Sequence, residues 1–580
     1  MLFSTLAENL ARMEETTKRL ELTSIMVDIF KEVSQDQIAH IVYLLQGKVR
    51  PDYEGVEVGV AEKIIMHAIA KSSGTSQATI QARYVETGDL GQAASLILEK
   101  KSQTTLFAQE VTVDRVYNTI LKMAQVGGSR SQDMKIKYIS SLLNDASPTE
   151  ARFILKILLG SMRLGVAENT IMDALAEAYT GDRKNRPLLE EAYNVSSDLG
   201  RVAKTTAKDG LGGLESFSIT PFSPIRPMLA ERIRTEKDAL DKMGTGFAAE
   251  YKLDGERVQI HVADGRVEVF SRKLERITEY YPDVIEAMPE ISKSNNIILE
   301  AEAVPVNADT GEFLPFQNIM RRRRKHGLAK AVADYPVLVN FFDVLYVDGQ
   351  SFLDETYDKR RQMLQYVIKE GGMAHLVPMM RIEAEVDIVE FMESSVNAGC
   401  EGLMIKSKDS IYRAGSRGSQ WLKLKQDYQK GIGDSLDLVV IGAFHGKGRR
   451  AGTYGTLLLA TYDSAEDMFL SICKVGSGFK DEDLDTLYQT LGDKILAKKD
   501  LRVNSIMEAD VWFAPELVIE VVAAEITRSP IHTTGKADND SGFALRFPRF
   551  TGRIRADKSA EEASTVEEIL ALYGGQAKTT

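Results

Sequence analysis

The chain runs to 580 residues, 44% hydrophobic and 27% charged, too long for one hydrophobic core and of a size for roughly three or four domains. No apolar run approaches the roughly 18 residues of a membrane span, and the start lacks the basic and apolar segments of a secretory signal, so a cytoplasmic location and no membrane partner are expected. The 72 Lys and Arg against 84 Asp and Glu leave a net charge of −12, which does not exclude a polyanionic partner because local charge decides such binding.

In chain order, residues 1–215 read as helical. Apolar residues recur with helical period, and Ser147-Pro148-Thr149-Glu150 opens one helix with a cap, a proline at its first position and a glutamate three residues on. Glycine and proline crowd together over Asp209–Gly213 and Thr220–Pro227, which predicts an interdomain linker. Strand patterns follow: Val258, Ile260 and Val262 alternate with Arg257, Gln259 and His261, and Asp264-Gly265 turns the chain into Val267–Ser271, a hairpin signature. Strands and helices mix to about residue 432. From 433, short β-runs such as Leu438–Gly442 and Leu517–Val522 are broken by glycine-rich turns, which suggests a small barrel, and Thr565–Tyr573 reads as a closing helix.

Within the middle region, Glu250-Tyr251-Lys252-Leu253-Asp254-Gly255 places a lysine at the end of an apolar strand, before a turn suited to glycine. A lysine with its ordinary pKa of ~10.4 is a poor nucleophile near neutrality. Desolvation, neighbouring cations or a bound metal would make it a good one. Taken alone, the tetrapeptide Lys252–Gly255 fits a surface lysine in a strand-turn equally well.

Six further segments follow in order: Phe270–Arg272, Leu299–Glu302, Phe341–Tyr346, Glu401–Lys406, Trp421–Lys425 and Arg553–Lys558. With the Lys252 segment they resemble, in order and spacing, the covalent nucleotidyltransferase family that includes ATP-dependent DNA ligases and mRNA capping enzymes. The resemblance implies that Lys252 is a catalytic nucleophile carrying AMP, and that Glu250 and Arg257 contact the sugar and base of ATP while Phe342 stacks on adenine. It also implies Glu302 as a nucleotide contact and Glu302 with Glu401 as ligands of Mg²⁺, a cation for which two carboxylates suffice when phosphate oxygens complete the shell. The chain has no GxxxxGK[ST] loop, so side chains must neutralise the phosphates, and Arg272, Arg417, Lys423 and Lys425 are the candidates. Arg555, Asp557 and Lys558 are expected to orient pyrophosphate in the first step.

The first region separates the members of this family. Gly127–Ser131 precedes a helix, and Gly160–Leu175 closely resembles the helical DNA-binding domain of archaeal and eukaryotic replicative ligases, which a capping enzyme lacks. Arg130 and Arg163 are the expected contacts to DNA phosphates. Arginines 321–324 lie between strands and are expected near phosphate. Two cysteines, Cys400 and Cys473, cannot build the four-cysteine module of NAD-dependent ligases, which favours ATP. The expected architecture is an all-α DNA-binding domain (1–215), an α/β adenylation domain with antiparallel sheets (216–432) and an OB-fold β-barrel with a C-terminal helix (433–580). The expected function is ATP-dependent sealing of nicks in duplex DNA by a monomer. RNA ligation, RNA capping and a catalytically silent DNA clamp are the alternatives. Lys100–Phe107 resembles the sliding-clamp-binding segment of archaeal ligases, with Gln103–Phe107 as its core, and a loop that buries Leu106 and Phe107 in its own domain fits the segment equally well.

Overall fold

A computed structural model describes the chain except residues 17, 101–108, 129, 161, 163, 165, 234, 308–310, 315, 324–326, 426–434, 447–451, 537–540, 557 and 578–580. The described residues gather into two compact units, one of Met1–Gly74 with Leu98–Gln426 and one of Thr75–Ile97 with Asp427–Thr580.

The first unit begins with helices. Helix Pro148–Leu158 starts as its sequence dictates: the Ser147 hydroxyl accepts from Glu150 N–H, and the Glu150 carboxylate accepts from Ser147 N–H at 2.8 Å, so two orphan donors of the first turn are satisfied reciprocally. Ala151, Phe153, Ile154 and Leu155 are then fully buried. The glycine-rich stretch at Asp209–Gly213 interrupts a helical run, with Gly210 outside helical geometry (φ 63°, ψ −151°) between two helices within Leu199–Leu214, and the irregular connection is 215–228.

Eleven strands follow in this unit: β1 (Leu229–Arg232), β2 (Phe247–Lys252), β3 (Glu256–Ala263), β4 (Arg266–Ser271), β5 (Ile297–Pro305), β6 (Val337–Val347), β7 (Gln350–Ser351), β8 (Ala374–Leu376), β9 (Met379–Ile382), β10 (Gly402–Lys406) and β11 (Arg417–Lys425). One sheet runs β1-β11-β10-β2-β9 and the other β4-β3-β5-β6-β7, with β8 beside β6. Pairing is antiparallel except for β1 with β11 and β6 with β8. The β3–β4 hairpin forms as predicted, with Asp264 (φ 51°) and Gly265 (φ 73°) in its turn, the left-handed pair that matches strand twist.

Alternation along the strands sorts the side chains. Val258, Ile260, Leu299, Ala301 and Phe341 pack in the core of the second sheet, and Phe247, Ala249, Leu403, Ile405, Leu422 and Leu424 in that of the first. The polar face of β3 is also buried, because the connection lies on it. His261 Nδ1 accepts from Phe222 N–H at 2.9 Å, the Gln259 amide bonds both Ile225 N–H (2.7 Å) and C=O (3.0 Å), and Arg257 donates to Met228 C=O at 2.8 Å. Burial pushes the His261 pKa down to about 3, so the ring is neutral and has a lone pair for that N–H. The connection also grips the helices. Ser223 Oγ donates to Ser196 C=O, Ser197 Oγ to Pro224 C=O, and the Arg226 guanidinium bonds Glu168 at 2.7 Å over the Tyr193 ring.

In the second unit the central strand β12 (Leu436–His445) pairs with β13 (Tyr454–Asp463), and β13 with β14 (Met468–Val475). The short β15 (Ile495–Leu496), β16 (Val503–Asn504) and β17 (Val511–Phe513), then β18 (Val518–Val522) and, after a separate two-stranded sheet of β19 (Glu525–Ser529) and β20 (Gly542–Arg546), β21 (Arg549–Ile554), complete a β-rich domain. Leu487 and Leu491 of helix Asp481–Gly492 and Ile569 of helix Val566–Ala577 join its core. No helix among the described residues is long and apolar enough to cross a membrane.

Candidate active site

A cleft of about 610 Å³ is lined by residues of both sheets of the first unit. Its lining repeats the strand period: Glu250 and Lys252 from β2, Met404 and Lys406 from β10, and Arg417, Trp421, Lys423 and Lys425 from β11. The second sheet adds Arg257, Glu302 and Phe342, and the turn after β4 adds Arg272. All nine residues expected to bind or react with a nucleotide thus line one cleft, together with Glu401.

Registry sets the charged end. Lys252, Gly402 and Lys425 sit side by side across β2, β10 and β11. Glu401 N–H donates to Lys252 C=O at 2.8 Å, which turns the Glu401 carboxylate between the two lysines. It pairs with Lys252 and, at 2.8 Å, with Lys425. Gly402 is required there, because its φ is 144° and a Cβ would lie 2.3 Å from Leu424 C=O. Gly255 takes no positive φ. It is needed for closeness instead of for its turn, since a Cβ would stand 2.4 Å from Ala303 C=O and 3.0 Å from Glu302 Cγ.

The protonation balance is readable from these contacts. Burial pulls the Lys252 pKa down, but the charge of Glu401 and its hydrogen bond, with Glu302 and Asp254, more than reverse this, so the net shift is upward. The depressed amine that nucleophilicity calls for is therefore absent while Glu401 is paired with Lys252. Lys423 is shifted down by burial and by the cations Lys252, Arg272, Arg417 and Lys425. Burial lifts Glu302 to about 7, against the opposing pull of Lys252 and Arg257. Among the described residues no carboxylate pairs with Arg272, Arg417 or Lys423. This end of the cleft therefore has cationic capacity to spare for an anion.

The aromatic end is different. Phe341 points into the core and Phe342 into the cleft, with the Arg257 guanidinium 5.3 Å from its ring and Lys406 Nζ 4.9 Å away. In the Glu300-Ala301-Glu302 triplet the duties divide. Glu300, 1% exposed, is taken by a two-pronged contact from Arg257 at 2.8 Å and by the Tyr412 hydroxyl at 2.9 Å, while Glu302 faces the cleft.

Three family models match consecutive parts of the chain: DNA ligase N terminus over residues 2–176, ATP dependent DNA ligase domain over 227–425, and ATP dependent DNA ligase C terminal region over 450–558. The DNA ligase of Nitrosopumilus maritimus (strain SCM1) is 60% identical over 580 residues, covering 100% of this chain and 99% of that protein. The chain belongs to the ATP-dependent DNA ligases. The DNA ligase of Cenarchaeum symbiosum (strain A) is 58% identical and DNA ligase 2 of Thermofilum pendens (strain DSM 2475 / Hrk 5) 45% identical, each across the whole of this chain and 98% of theirs. A solved structure named Pmar-Lig_PreS3 superposes with a TM-score of 0.55 at 18% identity, covering 95% of this chain and 99% of that one, a likeness of fold.

Other predicted residues lie elsewhere. Arg130 is exposed and stands at the N-cap of helix Ser131–Asp145, and a helix N-terminus favours anions. Arg163, Asp557 and the Gln103–Phe107 segment lie outside the described residues. Arg555 and Lys558 belong to the second unit, where both contact Asp437, at 2.7 and 2.8 Å. The arginine run is engaged in specific contacts: Arg321 with the Tyr335 hydroxyl, Arg322 with Asp283 while 1% exposed, and Arg323 with Glu256 at the cleft wall. Arg324 is not among the described residues. Sequence reasoning missed Lys406 and Trp421 as cleft residues, although both stand in the quoted segments at the right strand phase. It also missed Tyr357 and Arg361 behind Glu250, which no motif marks.

Proposed function

We propose that the chain joins nicks in duplex DNA with Lys252 as the nucleophile that carries AMP, and that its domains are 1–215, 216–432 and 433–580, the last an OB-fold. The supporting observation is the cleft itself: Lys252 sits between an end where, among the described residues, Arg272, Arg417 and Lys423 have no carboxylate partner and an aromatic end, the two chemistries that a triphosphate and a base require. ATP enters with its base against Phe342, beside Glu250 and Arg257, and its phosphates toward Arg272, Arg417, Lys423 and Lys425. The Lys252 amine attacks the α-phosphorus and pyrophosphate leaves with the bonding pair. AMP then passes to the DNA 5′-phosphate, and the 3′-hydroxyl displaces it. Positioning and charge neutralisation carry such transfers more than proton chemistry does.

The fit for Mg²⁺ is chemical. Among the described residues no cluster of three or more His, Cys, Asp or Glu forms a cage, and Glu302 and Glu401 supply two carboxylates beside the phosphate end, which suits a cation that takes the rest of its shell from phosphate and water. Bound there, the cation would be held by Glu302 and Glu401 and would supply neutralisation of phosphate charge. With Glu401 so engaged, the largest influence that holds Lys252 protonated would be withdrawn, and burial would favour its neutral amine. Arg130 and Arg163 contact DNA phosphates, and Arg555, Asp557 and Lys558 orient pyrophosphate. The same reading has a cytoplasmic monomer with a sliding-clamp contact at Gln103–Phe107, supported by the sequence of that segment.

The test uses α-labelled ATP with Mg²⁺. Wild type takes covalent label, nicked DNA discharges it with strand joining, and Lys252→Ala takes none. A labelled Lys252→Ala variant would end the assignment, and discharge by an RNA end in preference to nicked DNA would favour the capping alternative.

A further inference from the structure

Behind the aromatic end, Glu250 belongs to a charged network whose other members the reaction above does not use. Glu250 is 2% exposed. Its Oε2 faces Lys406 Nζ at 2.7 Å, and its Oε1 accepts from the Tyr357 hydroxyl at 2.5 Å. Arg361 Nη1 stands 3.5 Å from the same Oε1. Arg361 donates from Nη2 to Val377 C=O at 2.7 Å, and its Nε and Nη1 have no hydrogen-bond partner while the residue is 7% exposed. Two buried cations thus stand on either side of one carboxylate, and one of them has donors to spare. A buried guanidinium gains strongly from a two-pronged carboxylate contact, so the Tyr357 hydroxyl occupies the oxygen that Arg361 would otherwise capture.

Tyr357 is held in place independently of the cleft. It opens helix Tyr357–Val367, whose cap is Thr356 accepting from Lys359 N–H, and its ring is fully buried. On the other side of Glu250, Lys406 is held in the cleft wall with its ammonium 4.3 Å from the Trp421 ring, 4.9 Å from Phe342 and 3.4 Å from Phe342 C=O. Lys406 is a donor only, and a wall that fixes one cationic donor discriminates purines by whether their edge offers an acceptor or an N–H at that point. The position of that donor depends on Glu250, and the position of Glu250 depends on Tyr357.

We propose that Tyr357 is a positioning residue for nucleobase selectivity: its hydroxyl holds Glu250 on Lys406 against the pull of Arg361, and so holds the donor that distinguishes adenine from guanine. The inference rests on the nucleotide reading of the cleft. Tyr357→Phe retains the ring and removes the hydroxyl. Self-nucleotidylation is measured with α-labelled ATP and α-labelled GTP over a concentration series. The expected result is a fall of about tenfold in the ATP-over-GTP ratio of rate/KM, carried by a higher KM for ATP, with the rate at saturating ATP within about threefold of wild type; a gap of tenfold is what about 1.4 kcal/mol gives. The double variant Tyr357→Phe/Arg361→Gln, which removes the competing cation, is expected to restore most of the ratio. A ratio within twofold of wild type overturns the inference, as does an equal loss with both nucleotides or a double variant with no recovery. Absence of covalent label on wild type would instead overturn the nucleotide reading beneath it.

Discussion

Glu302 makes no ion pair among the described residues, and burial raises its pKa from an ordinary 4.5 to about 7 against the weaker pull of Lys252 and Arg257. A carboxyl whose folded pKa exceeds its unfolded one favours folding while protonated, and that contribution is lost as pH rises through the folded value. Without metal, the ionised form therefore costs about 3 kcal/mol once pH is well above 7. Glu302→Gln in EDTA is expected to be more stable than wild type by about that amount at pH 8.5, with the two proteins converging as pH falls from 7 toward 4.5. Urea unfolding across that range checks this, and a gap independent of pH would show that volume or hydrogen bonding, instead of charge, sets it. Lys252 behaves oppositely: its carboxylate neighbours hold it charged. The sequence names the lysine but not this balance, because the balance depends on Glu401 arriving from another strand.

The connection 215–228 works as an element in its own right, since its backbone is read by alternate side chains of β3. Gln259 imitates a strand there, with its amide donating to Ile225 C=O and accepting from Ile225 N–H. Gln259→Ala leaves both groups buried and unpaired, at a local cost of about 3 kcal/mol. Hydrogen exchange at the Ile225 amide is expected to speed up by about a hundredfold, and unchanged exchange would show that packing alone holds the segment. Alternation made β3 legible as a strand, and the Asp264-Gly265 turn made its hairpin legible, because both signals are local. Composition marked both the break at Gly210 and the proline-rich part of the connection, since glycine at a non-helical φ/ψ ends one helical segment before the next begins. Gly255 was expected for a turn that suits glycine, whereas it is needed for the nearness of Ala303 C=O across the sheet, which the chain alone cannot show. Tyr357 was invisible for the same cause: its hydroxyl bonds a residue 107 positions earlier.

At the scale of the whole molecule, the net charge of −12 and a polyanionic substrate conflict only if charge is averaged. Lys423 and Lys425 line the cleft with Arg272 and Arg417, and Arg130 stands exposed on a helix start, so cations are placed where phosphates are proposed to lie. The two locations differ in their exposure to salt. A nick spans many phosphates whose counterions are released on binding, and a protein contacting six to ten of them loses roughly a thousandfold or more in affinity between 50 and 200 mM salt. Cations within a cleft wall are screened far less. Affinity for nicked duplex is therefore expected to fall by at least about a hundredfold over that range, while the rate of lysyl-AMP formation changes less than about twofold. Fluorescence titration of nicked duplex and single-turnover labelling with ATP, run in the same buffers, give both slopes. If adenylation falls as steeply as DNA binding, the phosphates of ATP are held by exposed cations, and the division between a cleft that binds nucleotide and surfaces that bind DNA is wrong.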